Sequence, residues 1–284
     1  MKEIATPTRT KEIVERYNLK AKKSLGQNFM VDAQLLSKMV DHTGLTERDG
    51  VIEVGPGIGA LTEQLAKRAK KVIAYEIDQR LLPVLDDTLS SYDNVDIRHE
   101  DFLKADLTEV FKKDFSDVDN VYAAGNLPYY VTTPILMRFL EERLPIETLT
   151  VLIQKEVGDR LAAKPSTKSY GSLSIAAQYY AETEVISAVP PQAFMPRPNV
   201  DSSIITFRIR KEKAVQVNDE AFFFKCIRAS FAQRRKTLRN NLNHWLGDKE
   251  RVTEALERSE IDGARRAETL SIQEFGKLAD ALNS

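Results

Sequence analysis

The sequence predicts an α/β protein in which a doubly wound, mostly parallel, seven-stranded sheet is followed by a small all-helical domain. Short apolar runs alternate with helical patterns from about residue 50 to residue 209, which is typical of parallel strands joined by crossover helices. A glycine-rich turn stands between the first strand and its helix, and after about residue 212 the pattern becomes helical. The length of 284 residues is enough for one large or two modest domains.

The predicted elements form five strand–helix units and a final pair of strands. Strands are predicted over residues 51–54, 71–77, 95–99, 121–125, 148–153, 183–189 and 202–209. A long proline-rich loop joins the last two, which we expect to be neighbours in the sheet. The first twenty residues lack a clear period, so a flexible extension is expected there. The predicted domains are therefore 1–20, 21–211 and a helical domain over 212–284.

Composition limits the class of protein. The chain is 42% hydrophobic and 29% charged, as is ordinary for a soluble globular protein. No apolar run is long enough for a membrane span, and residues 1–7 lack the apolar stretch of a signal peptide. Cys226 is the single cysteine, and the three histidines have no ligand spacing, which excludes an intramolecular disulfide and a cysteine-based metal cluster. We expect a cytoplasmic, metal-free monomer.

The charge is segregated along the chain. The net charge of −1 and the pI of about 6.4 argue mildly against a nucleic-acid partner. Between Arg208 and Arg239, however, ten basic residues face three acidic ones, and Lys20, Lys22 and Lys23 form a second basic group. Such segregation indicates a surface that faces phosphates. A solvated helix face is the alternative interpretation.

The glycine-rich turn, residues 53–59 (Glu-Val-Gly-Pro-Gly-Ile-Gly), predicts a nucleoside site at a helix N-terminus. Glu76, 21 residues after Gly55, is placed to accept both ribose hydroxyls. The pocket suits either a nicotinamide dinucleotide or S-adenosylmethionine. The latter is favoured because the spacing is not that of a dinucleotide site and because Asp101 ends the third strand, where it can accept a hydrogen bond from an adenine amine. A helix cap or turn is the alternative role for Asp101.

Two more polar segments flank this turn. Residues 26–31 (Gly-Gln-Asn-Phe-Met-Val) precede the first strand, where polar side chains can reach the methionine end of a cofactor; alternatively, Asn28 caps a helix over 32–40. Asn126-Leu127-Pro128-Tyr129 closes the fourth strand. A side-chain and a backbone carbonyl there can each accept one hydrogen of an exocyclic amine, while proline stiffens the backbone and tyrosine offers a stacking face. The alternative is a plain turn at a strand end.

From about residue 22 to residue 278, the ordered motifs resemble those of the ribosomal RNA adenine N6,N6-dimethyltransferases. Besides the turn and the tetrad, the likeness includes Gln27-Asn28-Phe29, Glu76-Ile77-Asp78, Glu100-Asp101 and the segment 194–202 (Phe-Met-Pro-Arg-Pro-Asn-Val-Asp-Ser). It implies a Rossmann-like methyltransferase sheet with S-adenosylmethionine as cofactor. The implied cofactor site comprises Gln27, Asn28, Met30, Glu53, Gly55, Gly57, Glu76, Ile77, Asp101, Phe102 and Asn126.

The resemblance also implies how the target base is held. Asn126 and Tyr129, with Phe194 on the opposite side, would clamp an adenine that has left its stack, and Leu127 and Pro128 complete the catalytic set. Without the resemblance, a packed aromatic residue in a proline-rich loop is the alternative interpretation of Phe194. Methyl transfer would be direct and in line, without a covalent enzyme intermediate or a general base.

Two branches of that family differ in substrate. One dimethylates two adjacent adenines in a hairpin near the 3′ end of small-subunit rRNA, a late assembly step, and the other a single adenine of large-subunit rRNA. The tail 231–242 and the modest pI resemble the small-subunit branch, which implies 16S rRNA within a partly assembled 30S subunit as partner. The predicted RNA contacts are Lys22, Lys23, Arg197, Arg228, Arg234, Arg235, Lys236 and Arg239.

Three other functions remain as alternatives. An assembly factor with a vestigial site is disfavoured by the intact motifs. A DNA adenine methylase more often has aspartate in the first position of the tetrad. A nicotinamide dehydrogenase is disfavoured as well, because such an enzyme does not need the tetrad.

Overall fold

The computed structural model describes residues 3–20 and 27–284, so the predicted RNA contacts Lys22 and Lys23 lie outside the described residues. The chain forms two compact units. The first contains residues 1–158 and 184–209, and the second contains 159–183 and 210–284. Across the described ranges, no helix has the length and apolar character needed to cross a membrane.

Residues near the N-terminus form a helix, α1 (Pro7–Arg16), so the expected flexible extension is wrong. The Thr6 side chain caps it by accepting a hydrogen bond from the Arg9 amide at 3.2 Å. Ile4 and Ile13 are buried in the apolar core of the first unit, and the Ile4 amide donates to Glu63 Oε2 at 3.0 Å. The prediction failed because the charged face of this short helix obscures the few apolar residues that anchor it.

The strands of the structure are β1 (Phe29–Met30), β2 (Gly50–Val54), β3 (Lys71–Glu76), β4 (Val95–His99), β5 (Val121–Asn126), β6 (Thr148–Gln154), β7 (Ala181–Val189), β8 (Phe194–Met195) and β9 (Ser202–Ile209). Seven of them form one sheet in the order β4-β3-β2-β5-β6-β9-β7. Strands β2 to β6 pair in parallel, and β9 pairs with β6 antiparallel. The predicted fold class is confirmed, including the adjacent final pair. The two-stranded ladder of β1 and β8 was not predicted.

Helices of the α/β part connect these strands: α2 (Ala33–Asp41), α3 (Ala60–Ala66), α4 (Leu82–Thr88), α5 (Leu107–Lys113), α6 (Thr132–Glu141) and α7 (Lys155–Leu161). All five residues of β2 are buried, as expected of a central parallel strand covered on both faces. Asp32, whose side chain accepts from the Leu35 amide at 3.0 Å, caps α2. Asn28 is therefore not the cap of this helix.

The second unit is helical: α8 (Ser172–Tyr180), α9 (Glu220–Ser230), α10 (Leu238–Leu246), α11 (Lys249–Arg258) and α12 (Ile272–Asn283). It includes residues 159–183, which the sequence placed in the sheet domain. Aromatic side chains explain the difference. Tyr180 donates to Glu220 Oε1 at 2.5 Å, and Tyr170 donates to the Leu270 carbonyl at 2.9 Å. Such contacts join segments far apart in sequence, so no local pattern reveals them.

Candidate active site

A cavity of about 240 Å³ lies at the carboxyl ends of β2 to β5 in the first unit. This is the edge at which open parallel sheets bind ligands. The predicted site residues that line it are Gln27, Asn28, Met30, Gly55, Gly57, Glu76, Ile77, Asp101, Phe102, Asn126 and Pro128. The tertiary structure thus brings the glycine turn, the acidic strand ends and the first part of the tetrad around one space.

The glycine turn needs its glycines for backbone conformation. Gly55, Gly57 and Gly59 have φ values of 73°, 61° and 90°, in the left-handed region that favours glycine. A Cβ on Gly57 would also approach the ring of Phe29 to 3.4 Å. The turn therefore exposes backbone to the cavity at positions where side chains would be strained.

Glu76 ends β3 with its carboxylate nearly buried at the cavity. Its Oε1 accepts from the Asp78 amide at 2.8 Å, and its Oε2 accepts from the Gly57 amide at 3.2 Å. Burial raises the pKa of this carboxyl, and the two backbone hydrogen bonds oppose that rise. A carboxylate has about four acceptor sites, so both oxygens can still accept hydroxyl groups of a ribose.

Glu53 differs from its predicted role as a cofactor contact. Its side chain is 0% exposed and does not line the cavity. Neither of its carboxyl oxygens has a hydrogen-bond partner among the described residues. Burial raises its pKa to about 8, so this group is mostly protonated near neutral pH. The side chain of a fully buried strand residue points into the packed interior, which the motif alone did not reveal.

Asp101 and Phe102 form the wall that follows β4. Asp101 Oδ1 accepts a hydrogen bond from the Leu103 amide at 3.0 Å, so Asp101 stabilises the turn that follows β4. The same residue also lines the cavity. The Phe102 ring stacks on Phe139 with centroids 4.7 Å apart. Arg138 of α6 lies over the Phe102 ring at 5.3 Å and donates to the Phe102 carbonyl. Arg138 was not predicted as part of this wall, because its contacts depend on how α6 packs.

Of the four tetrad residues at the end of β5, some lie at the cavity and others lie away from it. The Asn126 amide group donates from Nδ2 to the Asn28 carbonyl at 3.1 Å. Leu127 is buried, and its amide donates to the Leu152 carbonyl at 3.1 Å. Tyr129 is half-buried and does not line the cavity; its hydroxyl lies 2.8 Å from Ser202 Oγ. Asn126 and Pro128 are thus the tetrad residues at the cavity.

Phe194 is not at the cavity. Its side chain is 3% exposed within the apolar core, and the residue pairs with Met30 in the small β1–β8 ladder. The packed-aromatic interpretation therefore describes its position in this structure. Among the aromatic residues that line the cavity, Tyr130 is the exposed one, at 58%, and Ile77 of the same lining is similarly exposed at 53%. The position of Tyr130 directly after the tetrad was the signal that could have found it.

The predicted RNA-contact residues fall into two groups. Arg197, in the first unit, is exposed. Of the predicted contacts in the second unit, four have exposed side chains: Arg228 on α9 and, in the turn before α10, Arg234, Arg235 and Lys236. Within the described ranges, no carboxylate forms an ion pair with these four cations. Arg239 is half-buried and donates to Thr253 Oγ1 at 3.0 Å.

In the earlier part of the same basic stretch, three cations do form ion pairs with carboxylates. Arg208 pairs with Glu184 at 2.9 Å, Arg210 pairs with Glu182 at 3.0 Å, and Lys213 pairs with Glu220. Their charges are balanced locally. Three cations of the run from 208 to 239 are therefore neutralised by ion pairs, whereas Arg228 on α9 and the cations of the turn before α10 have no carboxylate partner within the described ranges.

The sheet order, the cavity at the strand ends and the tetrad at its wall together define a Rossmann-like methyltransferase. Comparison with known proteins gives the family. The ribosomal RNA adenine dimethylase model matches residues 18–284, and the chain belongs to that family. It is 60% identical to the ribosomal RNA small subunit methyltransferase A of Bacillus licheniformis, over 99% of this chain and 98% of the relative. Its identity to the protein of the same name from Bacillus pumilus is 58%, with the same coverage.

Solved structures agree with the fold. A 23S rRNA methyltransferase, ErmE, superimposes with a TM-score of 0.69 at 25% identity, covering 90% of this chain and all of the other. A dimethyladenosine transferase from Plasmodium falciparum superimposes with a TM-score of 0.74 at 22% identity, covering 88% and 95%. The second likeness supports the fold alone. The chain is therefore an rRNA adenine dimethyltransferase by family, with a cavity suited to its chemistry.

Proposed function

We propose that this protein transfers methyl groups from S-adenosylmethionine to the N6 amines of two adjacent adenines, in a hairpin near the 3′ end of 16S rRNA. The observation that carries the proposal is the shared cavity, in which Glu76 and Asp101 lie on the same space as Asn126 and Pro128. The small-subunit assignment follows the names of relatives 58–60% identical over 99% of the chain.

The residues of the cavity fit the proposed cofactor. Glu76 can accept the ribose hydroxyls, and Asp101 can accept a hydrogen from the adenine amine with the oxygen that Leu103 does not use. Ile77 and Phe102 offer apolar surface to the adenine ring. Bound S-adenosylmethionine supplies an electrophilic methyl group on a sulfonium that is already activated for transfer. The chain then has to bind, orient and exclude water.

Asn126 would orient the target amine. Because Nδ2 donates to the Asn28 carbonyl, Oδ1 remains as an acceptor for one amine hydrogen. The Pro128 carbonyl already accepts from the Val131 amide at 3.1 Å and from Thr132 Oγ1 at 3.0 Å. We propose the backbone carbonyl of Leu127, whose side chain is buried away from the cavity, as the acceptor for the second hydrogen. Two such bonds draw the amine toward a pyramidal geometry with its lone pair facing the methyl group. No general base is required, because the amine becomes acidic once methylated.

An aromatic face must hold the adenine after it leaves the RNA stack. Tyr129 remains the predicted partner from the family resemblance. Tyr130 is the tyrosine with an exposed ring at the cavity, so we propose that it contributes to stacking as well. Phe194 would have to leave the apolar core to take part.

The second unit would bind the RNA backbone. Arg228, Arg234, Arg235 and Lys236 are exposed cations without carboxylate partners in the described part of the chain. Such contacts position a nucleic acid without reading its sequence. The proposed partner is 16S rRNA in a partly assembled 30S subunit, and the proposed compartment is the cytoplasm. The helical unit, residues 159–183 and 210–284, would serve as the RNA-binding domain.

A large-subunit substrate is the second candidate, because the structure also resembles a 23S rRNA methyltransferase. That likeness is at 25% identity, far below the 58–60% of the small-subunit relatives. The small-subunit substrate is therefore favoured.

The deciding experiment measures methyl transfer from labelled S-adenosylmethionine to unmethylated 30S subunits and, separately, to 23S rRNA and 50S subunits, with the product nucleoside identified. Dimethyladenosine in 16S rRNA alone is expected. Label in 23S rRNA would establish the second candidate. RNA binding without any label would indicate an assembly factor.

A further inference from the structure

Asp78 and Arg80 form a side-chain pair directly after Glu76, outside the lining of the cavity. The Asp78 side chain is only 2% exposed. Arg80 donates from Nε to Asp78 Oδ1 at 3.0 Å and from Nη2 to Oδ2 at 2.6 Å. This two-point geometry is the strongest form of ion pair, and it holds the pKa of the Asp78 carboxyl well below its usual range.

The pair also contacts Gln27, which does line the cavity. Gln27 Nε2 donates to Asp78 Oδ2 at 2.8 Å, and Arg80 Nη2 lies 3.5 Å from Gln27 Oε1. Both ends of the Gln27 amide are therefore engaged. Arg80 Nη1 additionally donates to the Lys20 carbonyl at 3.2 Å. One guanidinium thus contacts the chain on both sides of residues 21–26.

The contacts continue to the reacting end of the cavity. The Asp78 amide donates to Glu76, and the residue after Gln27, Asn28, accepts from Asn126 through its carbonyl. A set of hydrogen bonds thus extends from the carboxylate proposed for the ribose to the asparagine proposed for the amine. Gln27 and Asn28 are its central part.

We propose that Asp78 and Arg80 are positioning residues, which hold Gln27 and Asn28 as the wall against which the methionine end of S-adenosylmethionine binds. The inference rests on the proposed cofactor. Because neither side chain lines the cavity, their effect passes through Gln27. Loss of the pair should therefore weaken binding of the methionine end and leave binding of the adenosine end unchanged.

The test compares two probes on the full-length protein: S-adenosylhomocysteine by calorimetry and adenosine by ligand-observed NMR. Arg80→Ala and Asp78→Asn should each bind S-adenosylhomocysteine roughly tenfold more weakly, as expected for a lost hydrogen bond to a charged group. Adenosine affinity should be unchanged. In kinetics, the KM for S-adenosylmethionine should rise by a larger factor than kcat falls.

Arg68→Ala is the matched control. Arg68 donates to Asp41 at 3.1 Å, to the Gln64 carbonyl at 3.1 Å and to Ser37 Oγ at 2.7 Å, away from the cavity. Its loss should lower the Tm without changing either affinity. Equal losses for both probes in Arg80→Ala would overturn the proposal, since they would show general loosening, and so would unchanged S-adenosylhomocysteine binding.

A double-mutant cycle tests whether the effect passes through Gln27. The variant Gln27→Ala with Arg80→Ala should lose no more S-adenosylhomocysteine affinity than Gln27→Ala alone. Additive losses would overturn the proposed route. If the wild-type protein fails to bind S-adenosylhomocysteine at all, the proposed cofactor is wrong, and this inference is wrong with it.

Discussion

The side-chain amide of Asn126 donates a hydrogen bond to the backbone carbonyl of Asn28, with the two atoms 3.1 Å apart. The two residues are 98 positions apart in the chain. This contact fixes which end of the Asn126 amide is the acceptor. It joins the segment that precedes the sheet to the tetrad at the end of β5.

Replacement of Asn126 should lower the rate of methyl transfer far more than it lowers cofactor affinity. We expect Asn126→Ala to lower kcat by roughly 100-fold or more, as for other losses of a single polar group that acts on the reacting atoms. S-adenosylhomocysteine affinity should change little, as measured by calorimetry. Asn94→Ala is the control, since Asn94 also donates to backbone carbonyls, those of Ala66 and Ala69, but away from this cavity. Wild-type kcat in Asn126→Ala would contradict the proposed role.

Glu76→Ala should separate cofactor binding from RNA binding. Loss of hydrogen bonds between a carboxylate and ribose hydroxyls is expected to weaken S-adenosylhomocysteine binding by roughly 10- to 100-fold. RNA affinity, measured by filter binding, should stay at the wild-type value, because this carboxylate lies at the cavity. Methyl transfer that is unaffected by the substitution would support a binding factor or another cofactor.

Glu53 should make stability depend on pH. Its folded-state pKa of about 8 exceeds its usual 4.5, so the folded state binds the proton more tightly. The raised pKa therefore contributes to the free energy of unfolding. This stabilisation is fully present below the unfolded pKa of Glu53 and is lost as pH rises toward 8. Glu53→Gln should remove it. Urea unfolding at pH 6 and pH 8 should therefore show a larger loss of stability in the wild-type protein than in Glu53→Gln. Equal losses would mean that the buried carboxyl does not titrate as described.

The turn before α10 should carry much of the RNA affinity. Replacing Arg234, Arg235 and Lys236 with alanine should weaken rRNA binding and reduce the slope of log K against log salt by about two to three, if each contacts a phosphate. A control with the same charge loss replaces three cations that pair with carboxylates, namely Arg48, Lys113 and Arg208. Identical salt slopes in the two triple variants would show that only net charge matters.

The aromatic ring of Tyr130 should contribute to binding of the RNA substrate. We expect Tyr130→Ala to raise the KM for the RNA substrate roughly tenfold, within the range of about 1–3 kcal/mol for base–aromatic stacking, while Tyr130→Phe keeps it. Steady-state kinetics with 30S subunits would measure this. If S-adenosylhomocysteine affinity falls instead and the KM for RNA is unchanged, the ring covers the cofactor.

Much of the site could be predicted because it consists of local patterns. Glycines at positive φ mark the turn. Glu76 is the last residue of β3 and Asp101 comes two residues after β4, and the carboxyl ends of these parallel strands meet at one edge of the sheet. The same reasoning did not reveal that Glu53 and Phe194 lie away from the cavity in this structure. Both belong to recognisable motifs, but the direction of a side chain depends on packing that the motif does not contain.

The sequence by itself determined the seven strands of the main sheet, the fold class, the glycine turn and the residues at the strand ends, since each depends on the period or conformation of a few consecutive residues. Tertiary structure decided the rest. Phe194 lies in the core and pairs with Met30, and Gln27 donates a hydrogen bond to Asp78, 51 residues away. Such contacts follow from which distant surfaces pack together, and no short stretch of sequence contains that information.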